Sequence, residues 1–340
     1  MDINKLVREN IRRLKPYSSA RSEFRGEASV YLDANENPMN APYNRYPDPL
    51  QWELKAKIAE LKSVRSSQIM LGVGSDEPID LVIRIFCEPR QDNIVAIEPT
   101  YGMYRVCADI NCVEYREALL NPDYTLDAGR LLAATDEHTK VIFLCSPNNP
   151  TGNLLERGAV REVAERFGGI VVIDEAYVDF SSEPSWLTEF YHYPNLIVFQ
   201  TFSKAWGLAS VRCGMAFAAE EIIGYFNKVK YPYNLNLLTQ QFVSEQLDHA
   251  PRMQEWVAYL LARRTALAAE LSALPQVQKV YPSDANFLLV KVPDAGALYD
   301  KLVSRGVIVR NRSNISLCAG CLRITVGTEA ENAALIRALR

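Results

Sequence analysis

No uninterrupted apolar run among the 340 residues approaches the roughly 20 residues that a helix needs to cross a bilayer, so a membrane-spanning helix is excluded. The opening stretch MDINKLVRENIRRLKPY is charged and amphipathic and lacks the apolar centre of a secretory signal, which makes a cytoplasmic location the expectation. Positive charge is not in excess either. A net charge of −4 removes the electrostatic basis for binding nucleic acid, and no helix-turn-helix extension or basic arm is visible. The seven cysteines are odd in number and mostly set in apolar runs, as Cys145 is in VIFLCS, so they read as buried free thiols. Cys318 and Cys321 form a lone CxxC without the second ligand pair of a structural zinc site. They are expected as two small residues in a turn, and no metal is expected. Internal repeats and low-complexity segments are also missing.

What is present is an ordinary globular composition, 48% hydrophobic and 23% charged, in a chain long enough for two unequal domains. Four short apolar runs, IVAIE (94–98), VIFLC (141–145), IVVID (170–174) and LIVFQT (196–201), are each bounded by turn residues. That is the signature of strands buried on both faces of a parallel sheet. Helical segments lie between them. In LERGAVREVAERF (155–167), Val160, Val163, Ala164 and Phe167 share one face, and Gly168-Gly169 close the segment. The alternation predicts an α/β domain with a mostly parallel central sheet flanked by helices. Beyond about residue 230 a long helical stretch is expected over 235–274, with Trp256, Leu260 and Leu261 at helical spacing. NFLLVKV (286–292), a helix at 294–304, GVIVRN (306–311) and CLRITVG (321–327) then predict a smaller α+β unit closed by a final helix. The expected division is a large domain at 30–240 and a small domain formed by 1–29 and 241–340.

Several strand ends carry polar residues of a distinctive kind. TFSKAWGLASVRCG (201–214) sets Lys204 just past a predicted strand, where open α/β sheets place ligands, with Thr201, Ser203 and Arg212 able to present two hydroxyls and a guanidinium to a phosphate. A surface lysine in a polar loop is the plain alternative. Asp174, ending IVVID, is costly there unless paired, and a protonated pyridine nitrogen is one suitable partner, with the Tyr177 phenol nearby; a helix N-cap is the alternative. SPNNPTG (146–152) makes a tight turn from which Asn149 can point back over the strand ends. LGVGSDEPIDLVIRIF (71–86) offers Ser75, Asp76 and the amides of a helix N-terminus to an anion, without the lysine of a Walker loop. Tyr101 in EPTYGMY sits where its face can stack on a ring or where it simply fills the core.

Taken in order, GSDE, PTY, NNPTG, DEAY and SK followed eight residues later by arginine, the chain resembles the fold-type I pyridoxal-phosphate (PLP) aminotransferases of the aspartate aminotransferase class. LKPY (14–17), LDANENP (32–38), NRYPDP (44–49), SDANF (283–287) and CLRITVGT (321–328) are similar to motifs of the histidinol-phosphate aminotransferase branch, so the resemblance spans nearly the whole chain. It departs from that branch modestly: GVGSDE stands where GNGSDE is usual, and Trp206 and Ala209-Ser210 stand where Phe and Ala-Gly are commoner. The resemblance implies that Lys204 forms the Schiff base with PLP, Asp174 pairs with the pyridine nitrogen, Tyr177 and Asn149 hold O3′, and Tyr101 stacks on the ring. It implies a phosphate site made of Ser75, Asp76, Ser203, Arg212 and Thr201, completed by Tyr46 from the partner of a homodimer. Arg323 is then the arginine that grips the substrate's anionic group, with Arg310 as a second cation and Tyr17 and Asn37 as further lining, while Arg312 is expected at a solvated strand edge. The implied reaction is histidinol phosphate plus 2-oxoglutarate giving imidazole-acetol phosphate plus glutamate. The rivals are an aromatic aminotransferase, a PLP decarboxylase of a phosphorylated amino acid, and a non-catalytic PLP-binding regulator.

Overall fold

The computed structural model describes residues 1–17 and 28–340. The apolar runs form strands β1 (Ile69–Val73), β2 (Asn93–Glu98), β3 (Glu114–Leu119), β4 (Thr139–Cys145), β5 (Ile170–Asp174), β6 (Leu196–Thr201) and β7 (Cys213–Phe217). They make one sheet in the order β1-β7-β6-β5-β4-β2-β3. Strands β2 to β6 are parallel, whereas β7 runs antiparallel to both of its neighbours, β1 and β6. Helices α1 (Glu9–Arg13), α2 (Trp52–Lys62), α3 (Asp76–Phe86), α4 (Met103–Ile110), α5 (Ala128–Ala133), α6 (Arg157–Arg166) and α7 (Glu220–Val229) cover both faces. The two-residue strand period sorts side chains between two cores. Ile142 and Leu144 of β4 join residues of α2, α5 and α6, while Val141, Phe143 and Cys145 join residues of α1, α3, α4 and α7. Burial on both faces is why these strands read as continuous apolar runs.

Helices α8 (Leu237–Leu247) and α9 (Ala250–Ser272) lead into a second, antiparallel sheet of β8 (Lys279–Val280), β9 (Phe287–Lys291), β10 (Arg310–Asn311) and β11 (Cys321–Thr325), in the order β10-β11-β9-β8. Helices α10 (Ala295–Ser304) and α11 (Glu329–Leu339) complete this smaller unit. Leu288, Val290, Leu322 and Ile324 point to its own core with α9, α10 and α11, whereas Phe287, Leu289 and Cys321 point the other way, into a core of the large sheet. The small sheet therefore shows one face to the large unit.

Some expectations change. The 235–274 stretch is broken between α8 and α9, because Pro251 occupies the first turn of α9 and cannot continue a preceding helix. GVIVRN pairs only at Arg310 and Asn311. Residues 3–11, grouped from sequence with the C-terminal unit, pack through Ile3, Val7 and Ile11 against Met70, Ile79 and Phe86 of the large unit. Val243 and Leu247 of α8 are buried in the core that the large sheet shares with Phe287, Leu289 and Cys321. Six cysteines are buried, but Cys112 is exposed in the left-handed turn that closes α4. Among the described residues, no helix is long and apolar enough to cross a membrane.

Candidate active site

Ser75, Asp76, Tyr101, Asn149, Asp174, Tyr177, Thr201, Ser203, Lys204, Arg212, Arg310 and Arg323 line one cavity of about 280 Å³, at the small end of ligand pockets. It lies past the ends of β1, β2, β4, β5 and β6, under the inward face of the small sheet. Tyr17, Asn37 and Tyr46 do not line it. Tyr17 borders a separate groove with Pro49 and Lys230, and Tyr46 stacks on Tyr233 with ring centroids 4.5 Å apart. Asn37 serves its own loop, its side chain accepting from Met39 N.

One end of the cavity is built for an anion. Gly74 has φ +70°, and a Cβ there would meet Arg212 Nη2 at 2.4 Å; a Cβ on Gly214 would meet the Gly74 carbonyl carbon at 2.4 Å. Both glycines are thus needed for β7 and the loop before α3 to approach so closely. The Asp76 carboxylate accepts from Tyr101 Oη at 3.0 Å and from Arg212 Nη2 at 3.3 Å. Thr201 Oγ1 donates to Ser203 Oγ at 3.0 Å and accepts from Ser203 N at 3.1 Å. Hydroxyls, a guanidinium and the first amides of α3 converge here.

The middle is dominated by Asp174 and Lys204. Asp174 is 2% exposed; Oδ2 accepts from Tyr104 Oη at 2.7 Å and Oδ1 from Ala176 N at 3.1 Å. It forms no salt bridge among the described residues. Burial pushes its carboxyl above the ordinary aspartate value, against the opposing pull of those hydrogen bonds and of Lys204. Burial and the Arg323 and Arg212 guanidiniums press the Lys204 amine below its ordinary value, and Asp174 opposes them. An amine so placed more readily sheds its proton and becomes a nucleophile. Lys204 Nζ lies 5.6 Å from the centroid of the Tyr177 ring.

At the far end, Arg323 Nη1 donates to Asn149 Oδ1 at 2.5 Å. The turn that holds Asn149 is tied to the end of β2 through Asn148, which accepts from Thr100 Oγ1 and donates to Pro99 O and Thr151 Oγ1. Arg312, expected at a solvated edge, instead lines the cavity and is half-buried: just past β10 its N–H still donates to Cys321 O at 2.9 Å, so the extended course continues and Arg312 shares the face of Arg310. Sequence patterns alone miss Tyr104. It is fully buried in the first turn of α4, stacked on Phe143 with centroids 4.6 Å apart and edge-on to Tyr101 at 5.7 Å.

A phosphorylated pyridine fits this set of residues. The buried Asp174 carboxylate has neutral donors but no cation bonded to it, which a protonated ring nitrogen supplies, and the glycine-walled anion end with Arg212 opens into the same cavity as Arg310, Arg312 and Arg323. The profile of the family "Aminotransferase class I and II" matches residues 24–339. The histidinol-phosphate aminotransferase of Bacteroides thetaiotaomicron is 57% identical over 99% of this chain and 98% of its own length. Among solved structures, the histidinol-phosphate aminotransferase from Clostridium acetobutylicum superposes with a TM-score of 0.81 at 23% identity, covering 87% of this chain and 90% of that one. The corresponding enzyme from Sinorhizobium meliloti, solved in complex with pyridoxal-5′-phosphate, gives 0.77 at 23% identity over 87% of this chain and 82% of that one. The structural likeness carries the fold, the sequence likeness carries the lineage, and the chain belongs to the PLP-dependent class I and II aminotransferases, in the histidinol-phosphate aminotransferase group.

Proposed function

We propose that the protein moves the amino group of histidinol phosphate to 2-oxoglutarate, giving imidazole-acetol phosphate and glutamate, as a cytoplasmic homodimer in histidine biosynthesis. The observation that carries this reading is a single cavity that joins a buried carboxylate, a lysine amine of lowered basicity and a cluster of guanidiniums. Bound PLP supplies an electron-withdrawing ring that lets a proton leave the substrate's α-carbon.

The chain's own residues do the rest. Lys204 holds the cofactor and carries the proton taken from the α-carbon, a task suited to an amine that burial keeps from permanent protonation. Asp174 keeps the ring nitrogen protonated, Tyr177 and Asn149 hold O3′, and Tyr101 covers the ring. Ser75, Asp76, Thr201, Ser203 and Arg212 hold the phosphate. Tyr46 is half-exposed outside its own chain's cavity, which suits a side chain that completes the partner's site, with Tyr17 and Asn37 as further lining. Arg323 and Arg310 hold the anionic end of either substrate.

A spectrophotometric assay of the holoenzyme offered histidinol phosphate, phenylalanine or phosphothreonine tests this. Histidinol phosphate is expected to react fastest. Equal use of phenylalanine would favour an aromatic aminotransferase, and carbon dioxide released from phosphothreonine would favour a decarboxylase.

A further inference from the structure

β10 and β11 pair so that Arg310 stands directly opposite Arg323. Side chains opposite one another in an antiparallel pair leave the sheet on the same face, and Arg312, two residues after Arg310, returns to it. That face is the one turned toward the large sheet, since Cys321 on β11 is buried in the large unit's core and Leu322 and Ile324 are buried on the other side. All three guanidiniums line the cavity.

This arrangement is unfavourable by itself. Like charges directly opposite across a sheet repel, and the Arg312 and Arg323 guanidiniums, partly withdrawn from water while Arg310 stays exposed, need acceptors or a counter-ion. The protein supplies little of either. None of the three arginines forms a salt bridge with a described residue. The Nε atoms of Arg312 and Arg323 are buried without a hydrogen-bond partner. Burial, then Arg323 and Arg310, press the Arg312 guanidinium below its ordinary value, and the Cys318 thiol and Tyr177 phenol are the other titratable groups acting on it. Buried N–H groups left without acceptors at a cavity wall mark a place where a ligand provides them.

The amount of charge says which ligand. Arg323, oriented by Asn149, already offers a planar fork to one carboxylate. Two more guanidiniums on the same face exceed what a single negative charge balances. We propose that Arg312 is a third anion-binding residue of the substrate pocket, and that the three-arginine face selects a doubly charged phosphate monoester over a carboxylate. This deepens the proposed function and rests on it. A phosphate monoester loses its second proton near pH 6, so the selectivity belongs to neutral and higher pH and fades below about 6.

The test follows single-turnover half-reactions of the holoenzyme by stopped-flow absorbance, using histidinol phosphate, histidinol and glutamate with wild type, Arg312→Gln and Arg312→Lys. Arg312→Gln is expected to lower kcat/KM for histidinol phosphate by on the order of ten- to a hundredfold, with a smaller loss for glutamate and partial recovery in Arg312→Lys. Thermal unfolding of the holoenzyme with inorganic phosphate gives a readout separate from turnover. Arg312→Gln should melt at or above wild type without phosphate, because a repulsion is relieved, and should gain less from adding it. Equal losses on histidinol phosphate and glutamate, or an unchanged preference in Arg312→Gln, would overturn the role of Arg312. If wild type used histidinol as well as its phosphate, the proposed function itself would fall.

Discussion

Replacing Asp174 with asparagine separates what this carboxylate gives the site from what it costs the fold. Without cofactor the carboxylate lies in the interior with two neutral donors, Tyr104 Oη and Ala176 N, and its pKa is raised by burial. The folded chain then holds this proton more tightly than the unfolded chain. The group's contribution to stability is present below the unfolded value of about 3.9 and is lost as pH rises through the raised folded value. At neutral pH the cofactor-free protein therefore bears at this site an unfavourable ionisation that the asparagine variant escapes, and relieving it stabilises the fold. For a chain of this length each kcal/mol so relieved corresponds to roughly 1–2 °C in Tm. The asparagine amide preserves shape and can donate to Tyr104 Oη while its oxygen still accepts from Ala176. In the loaded enzyme the sign reverses, because the variant loses its electrostatic hold on the ring nitrogen, and kcat should fall by about a hundred- to a thousandfold. Scanning calorimetry of the cofactor-free proteins at pH 5 and pH 8, with a fluorescence titration of PLP, reads both effects. The variant should be the more stable protein, by a wider margin at pH 8, and should bind PLP more weakly. A variant that melts below wild type at pH 8 and binds PLP unchanged would refute the reasoning, since Tyr104 and Ala176 would then satisfy the carboxylate alone.

Lys204→Ala should retain PLP but lose turnover by roughly a thousandfold or more, because no other positioned amine can serve as base; cofactor absorbance after gel filtration and a turnover assay check this, and full activity would contradict it. Tyr46→Phe should weaken PLP retention by roughly two- to tenfold, the worth of one hydrogen bond, and wild type should sediment as a dimer at assay concentration; an active monomer would sink the idea. Arg310→Ala should cut kcat/KM for histidinol phosphate by about ten- to a hundredfold and spare glutamate more, whereas Arg323→Ala should impair both half-reactions. Stopped-flow absorbance separates them, and an Arg310→Ala enzyme unchanged toward histidinol phosphate would count against the phosphate pocket.

Candidate residues at the ends of buried strands are the easier ones to read from sequence. Asp174, Asn149 and Lys204 each lie at or just past the end of an apolar run, where open sheets place ligands, and it is the order of their motifs together, rather than any one of them, that leads to the expectation of one site. Residues that act by lateral contact are harder. Nothing local says that Tyr104 reaches Asp174 across 70 positions, because that depends on β2 and β5 both flanking β4. The inward face of Arg312 is hidden because β10 is only two residues long and carries too little alternation to assign a face. Pro251 marks the break between α8 and α9, but the apolar spacing on either side conceals it. The antiparallel course of β7 is not legible, since hydrophobicity gives burial and not direction.

That strand order also sets a timetable for synthesis. Among the described residues β1 is an edge strand whose only neighbour is β7, translated roughly 140 residues later. At ribosomal rates of 5–20 residues per second, β1 waits about 7–30 s with its backbone unpaired, and the loop that follows it cannot take its final shape until Gly214 arrives. For that interval the nascent chain exposes a β edge to neighbouring chains, so crowded overexpression should favour aggregation through residues 69–73, and chaperones that mask such edges should raise the yield of folded protein.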